Sequence, residues 1–111
     1  VFLMFLGSLF VLADEPFILI ENRDDQTSKI KTKSEAVIGS ERLTVNFRES
    51  VNTVNVRVTS NLGEIVAIQT IDTNTNTSWS VSTLSWAVGG YTLTIESLSE
   101  DDACIGEFDV E

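Results

Sequence analysis

The sequence predicts an all-β chain folded as a two-sheet antiparallel sandwich of seven or eight strands. Three observations lead there. From Pro16 onward apolar residues recur at period two rather than 3.6. Polar turn signals separate these runs at spacings of about 10 to 14 residues. The glycine pair Gly89-Gly90 then opens a run in which Tyr91, Leu93 and Ile95 alternate with Thr92, Thr94 and Glu96, the pattern of a half-buried strand leaving a tight turn. Such a strand needs a sheet neighbour on each side and a second sheet beneath it. An up-and-down barrel satisfies the same periodicity and is the main alternative.

The chain has 111 residues, enough for one domain. Val1 to Ala13 is almost entirely apolar and reads as the core of a secretory signal peptide. It is too short to span a bilayer, which takes about 20 residues. Val11 and Ala13 fit a small-residue cleavage site, with Asp14 next. The expected organisation is therefore a partial signal peptide over residues 1–13 and a single sandwich domain over residues 14–111. A domain of that size buries somewhat more than about 60% of its unfolded surface, enough for one core without staples.

The strands follow in order. Phe17 to Ile20 is a short continuous apolar run, suited to a strand covered on both faces or one that switches sheets. Residues 22–26 read as a polar turn. Lys29, Lys31 and Lys33 alternate with Ile30 and Thr32, which reads as an extended segment whose lysines protect a sheet edge or dock an anionic partner. Ala36-Val37-Ile38 is closed by Gly39. Leu43, Val45 and Phe47 form the next inward face, and Val54, Val56 and Val58 the one after a turn at Glu49 to Asn52. Asn61-Leu62-Gly63 reverses the chain into a strand over Glu64 to Ile71, with Val66 and Ile68 or their neighbours facing in. Asp72 to Ser78 is a loop by composition and contains the sequon Asn76-Thr77-Ser78. Trp79 and Val81 alternate with serines, and Trp79 reads as core. After Ile95, the polar turn from Ser97 to Asp102 leads to a last strand with Cys104, Gly106, Phe108 and Val110 on one face. Tyr91 stands where a tyrosine corner would fall.

The composition excludes much chemistry. With no histidine and a single cysteine, neither a Ser-His-Asp or Cys-His centre nor an ordinary zinc site can be assembled from this chain. No glycine-rich phosphate loop occurs, and Gly89-Gly90 precedes a strand rather than a helix. A carboxylate pair could in principle hydrolyse glycosides, but a small sandwich offers little cleft. All seven basic residues lie between Arg23 and Arg57, whereas nine acids and no base follow Arg57. The net charge of −10 argues against nucleic acid or an anionic membrane surface as partner. Cys104, on the final strand, reads as a small buried apolar residue.

Leu-Thr-Val-Asn-Phe, Val-Asn-Val-Arg-Val, Asn-Leu-Gly-Glu-Ile-Val, Gly-Gly-Tyr-Thr-Leu-Thr-Ile and the closing Gly-Glu-Phe-Asp-Val together resemble one group. It is the group of small secreted proteins of unknown function from Bacteroides-type bacteria, and the likeness runs from about Phe17 to Val110. The resemblance implies an immunoglobulin-like sandwich and an exported bacterial protein, secreted or periplasmic. The Gly-x-Tyr-x-Leu-x-Ile run also looks like the last strands of C-terminal sorting domains of secreted Bacteroidetes proteins. The group carries no assigned activity, so no functional residue is transferred.

The expected function is a non-catalytic module that contacts a protein or glycan partner through end loops or a sheet edge, with no cofactor and no stable membrane insertion of the mature chain. Candidate contact residues are Trp86, which caps the open end of the sandwich or serves as a stacking platform for a sugar, the lysines Lys29, Lys31 and Lys33, and the acidic turn Glu100, Asp101 and Asp102. That turn reads as a solvated one with calcium binding as the alternative. Self-assembly, through lysines meeting acids or through exchange of the first strand, is a further alternative.

Overall fold

In the computed structural model, residues 15–17, 19–21, 29–99 and 102–111 are described, with side chains from residue 30 onward except 32. The predicted signal segment, the 22–26 turn, and residues Glu100 and Asp101 lie outside them. Two antiparallel sheets form the sandwich. One has the order β1 (Glu15–Phe17), β3 (Ser34–Ile38), β4 (Arg42–Phe47), β7 (Ser78–Ser82). The other has the order β2 (Leu19–Glu21), β9 (Ala103–Val110), β8 (Gly89–Ser97), β5 (Thr53–Ser60), β6 (Ile65–Asp72).

The first apolar run is a strand that switches sheets. Glu15–Phe17 pairs with β3, and Leu19–Glu21 pairs with β9 in the opposite sheet. Counting β1 and β2 as that one strand, the described chain makes eight strand passes, in line with the expected seven or eight. The chain then crosses between sheets in an interlocked way. β4 and β7 are neighbours in one sheet, β5 and β8 in the other, so each long connection runs from sheet to sheet and ties the two layers together. This is the sandwich rather than the barrel.

The core lies where the alternation puts it. Leu43, Val45, Val54, Val56, Val58, Leu93, Ile95 and Cys104 are fully buried, and Phe47, Tyr91 and Phe108 nearly so. These are alternate residues of β4, β5, β8 and β9, brought face to face by sheet-on-sheet packing. Trp79 and Val81 of β7 are half-buried against that core, because β7 ends its sheet.

The sequence reading fails at residues 29–33. Lys29–Lys33 is a short helix, α1, not an extended edge. Its Ile30 is buried at 1% exposure, and that burial is the physical reason. A single isoleucine closes one end of the core, and a turn of helix reaches it while leaving Lys31 and Lys33 half-buried. In a segment of five residues, period two and period 3.6 are not separable from sequence.

In β6 the structure chooses among the faces the sequence left open. Ile71 is buried, and Val66 and Ala67 pack on the core, but Ile68 is 56% exposed. Ile68 stands opposite Arg57 in the regular part of the ladder, on the face away from Val54, Val56 and Val58, and a register shift follows at Val58/Thr59. Thr59 faces Ile65 while Arg57 faces Ile68, so three steps of β6 match two of β5. The bulge turns Ile65 to the outer face as well, beside Ile68.

Candidate functional site

The turns gather at two ends of the sandwich, and the two ends differ in chemistry. One end carries the β3–β4 turn, the β5–β6 turn and the β7–β8 connection. Gly63, at φ +89°, makes the β5–β6 reversal, and Gly89, at φ +148°, starts β8 in a backbone region that side chains disfavour. Backbone bonds staple these loops together. Asn61 N–H donates to Gly90 O at 3.0 Å, and Thr83 N–H donates to Glu41 O at 2.9 Å. Tyr91, at the start of β8, donates its hydroxyl to Ala87 O at 2.5 Å. This is a tyrosine corner: the phenol spans the turn and fixes the chain as it re-enters the sheet.

Trp86 packs on that corner. Its ring lies 5.3 Å from Tyr91 at 33°, and Tyr91 in turn stacks on Phe108 at 5.8 Å and 19°. Trp86 is half-buried, so one side of the indole covers the end of the core and the rest meets solvent. The loops at this end also carry Leu62, Leu84 and Val88, which are 83%, 71% and 78% exposed. The strand reading passed over these three. The available signal was their position: each is a large aliphatic residue in a turn, where neither sheet needs it.

The opposite end carries α1, the β4–β5 turn, the β6–β7 loop and the β8–β9 turn. The β6–β7 loop, a surface loop by composition, is anchored through Thr73, which is 4% exposed. The Thr73 hydroxyl donates to Asn52 O at 2.7 Å and accepts from Val51 N–H at 2.7 Å, and Thr73 N–H also donates to Asn52 O at 3.0 Å. Asn52 itself sits in the left-handed region at φ 62°, which asparagine tolerates better than most residues. Ser50 adds a hydroxyl bond to Asn74 Oδ1. Two loops far apart in sequence are thus held as one unit.

Of the acidic turn, Asp102 is half-buried, and its Oδ2 accepts from Ile30 N–H at 3.3 Å. A carboxylate at the start of α1 satisfies a helix N–H that lacks an intrahelical partner, so Asp102 has a structural part beyond a solvated turn. Behind it Cys104 is buried, and its thiol is pushed up from 9.0 to about 12 by burial first and by the Asp102 charge second, with Lys31 opposing. Lys31 therefore sits close to this pair, whereas Lys33 bridges to Glu49 at 3.6 Å on the surface. Among the described residues no group of three or more acids or cysteines is placed to hold a metal ion, and no helix is long and apolar enough to cross a membrane. A cavity of about 130 Å³ opens here, lined by Ile30, Lys33, Ser50, Val51, Asn52, Ser97 and Asp102. It is smaller than the roughly 300–1,000 Å³ of small-molecule sites.

The candidate residues from the sequence thus divide between the ends. Trp86 belongs to the apolar end, while Lys31, Lys33 and Asp102 belong to the other, with the backbone of Lys29 in α1.

The comparisons with known proteins agree with this architecture. None of the curated proteins matches the chain. Among solved structures it is similar to a DUF3244 family protein with an immunoglobulin-like β-sandwich fold from Bacteroides vulgatus ATCC 8482, at 16% identity and a TM-score of 0.73. The match covers 89% of this chain and 100% of that one. A family model described as a domain of unknown function, DUF3244, matches residues 20–110. With an immunoglobulin-like sandwich and a family match from β2 to the end of β9, the chain belongs to the DUF3244 family.

Proposed function

We propose that this protein is a secreted, non-catalytic binding module that meets a macromolecular partner with its apolar end. One observation carries the reading. Leu62, Leu84 and Val88 are each more than 70% exposed, on two loops at one end of the sandwich that backbone bonds anchor, Asn61 N–H to Gly90 O and Thr83 N–H to Glu41 O. Single exposed aliphatic residues need no explanation, but several gathered on rigid loops mark contact surfaces. Holding the loops in place beforehand also spares a partner the entropy of ordering them.

The test is capture of secreted and envelope proteins on the immobilised chain, compared with a Leu62→Ser, Leu84→Ser, Val88→Ser triple variant. The three positions are exposed, so the variant keeps its melting temperature. Loss of a specific band with the variant supports the reading, and identical capture by both refutes it.

Trp86 favours a second reading, a glycan platform, because its ring at the same end is only half-buried. A thermal-shift screen against soluble glycans separates the two. A glycan present at 100 times its Kd adds about 2.7 kcal/mol of stability, a rise on the order of 10 °C for a domain of this size. A shift that Trp86→Ala removes assigns the surface to a sugar, and a flat response leaves the protein partner.

A further inference from the structure

We propose that the free edge of β6 accepts an extended segment of a partner protein as an added strand, and that this segment is apolar at alternate central positions and basic at both ends. The inference goes beyond the apolar end and rests on different residues.

β6 ends the five-stranded sheet, and no described strand pairs with its other side. Four strands end the two sheets. β1 and β2 have three residues each and β7 has five, whereas β6 has eight. Among the described residues its row of backbone donors and acceptors is thus the longest at a sheet end. Natural edges are guarded by lysine, proline or short length. From Ile65 to Ile71 there is no charge, no proline and no glycine. Within β6 the guarding device is the bulge opposite Val58/Thr59, and its effect is to bring Ile65 onto the outer face that Ile68 already occupies, the two being 57% and 56% exposed. Beside them Arg57 is paired with Glu96 at 3.3 Å, so no uncompensated cation borders the edge.

Charge selects the occupant. Glu64 and Asp72 stand at the two ends of this neutral stretch, and both are exposed. An antiparallel second copy aligned with Ile68 on Ile68 would set Glu64 against Asp72 twice, in a chain that already carries −10. Opposed like charges across a strand pair are destabilising. A segment with Lys or Arg at each end meets the two acids instead, while its backbone takes up the free hydrogen bonds and its apolar residues cover Ile65 and Ile68. Strand addition works in this way, with the main chain supplying affinity and alternate side chains supplying choice.

Three labelled peptides test the proposal on the full chain. All share an alternating Val/Thr centre: one ends in Lys on both sides, one ends in Glu, and one has Lys ends with two central prolines. Fluorescence anisotropy gives affinity, and amide hydrogen exchange locates the contact. The expected result is binding of the Lys-ended peptide with new protection within residues 65–72, and no binding of the proline peptide. The Glu-ended peptide should bind about tenfold more weakly at low salt, the sum of several surface charge terms, and added salt should narrow that gap. Ile68→Lys should keep the melting temperature and lower affinity for the Lys-ended peptide by a similar factor. The triple variant at Leu62, Leu84 and Val88 should bind it normally, which separates failure here from failure at the apolar end. Equal binding of Lys-ended and Glu-ended peptides, indifference to Ile68→Lys, or protection elsewhere overturns the proposal. So does a concentration-dependent dimer that Ile68→Lys dissolves, which would assign the edge to a second copy.

Discussion

Removing one oxygen from Tyr91 isolates the tyrosine corner. Tyr91→Phe deletes the hydroxyl that donates to Ala87 O at 2.5 Å and leaves the ring contacts with Trp86 and Phe108 in place. The ring is 6% exposed, so Phe fills the same space and no cavity term enters. What is lost is one hydrogen bond, worth about 0.5–1.5 kcal/mol net, and the acceptor left behind adds a penalty of about 1–3 kcal/mol only if it stays dry. Ala87 is an exposed residue, and with water replacing the phenol at its carbonyl the cost is about 1–1.5 kcal/mol. For a domain of this size that lowers Tm by roughly 5–10 °C. Urea unfolding should give the same loss from the midpoint with an unchanged slope, because no extra surface is exposed. A Tm shift below about 2 °C, outside what that size scaling allows, would refute the view that this bond holds the turn. A larger loss with an altered slope would refute the assumption that only one bond is removed.

Four other outcomes follow from the same geometry. Leu93→Ala, at a fully buried site with Gly106 opposite on β9, should cost about 3 kcal/mol through transfer and cavity terms, read by chemical denaturation. Thr73→Val keeps the shape but removes the hydroxyl bonds to Val51 N–H, Asn52 O and the Ser50 hydroxyl that join the β4–β5 and β6–β7 loops. A loss of about 2 kcal/mol is expected, with faster amide exchange at Val51. Asp102→Ala removes the carboxylate at the start of α1 and should lower stability by about 1 kcal/mol. The Cys104 thiol is held up near 12 against an ordinary 9.0, so its folded form prefers the proton. Its contribution is fully present below pH 9 and is lost as pH rises toward 12. Stability should fall over that window more steeply for the wild type than for Cys104→Ala, and the native thiol should resist alkylation at pH 8.

Much of this fold was legible in the residues alone. Strict alternation in Leu43-Thr44-Val45, Val54-Asn55-Val56 and Tyr91-Thr92-Leu93 determined strands with one buried face, because successive side chains on a strand point to opposite sides. The side chains so assigned are the ones that form the core. Tyr91 after a glycine pair also marked the corner, since that position is set by local chain geometry. Phe17 to Ile20 left two readings, and only pairing partners from distant strands could choose the sheet switch.

The sites were less legible, for a physical reason. Exposure of Ile65, Ile68, Leu84 or Val88 is not a property of those residues. It depends on which strand ends a sheet, where a bulge shifts the register and how far the opposite layer reaches. Likewise Lys29 to Lys33 has a strand's alternation, yet it folds as a turn of helix because Ile30 is needed to close the core and Asp102, 72 residues away from it in sequence, receives the Ile30 N–H. The sequence by itself determined which strands exist and which way their side chains face, as these are nearest-neighbour properties of the backbone. The tertiary structure decided the edges, the capping helix and the exposed apolar end, because each of these depends on contacts between residues far apart in the chain.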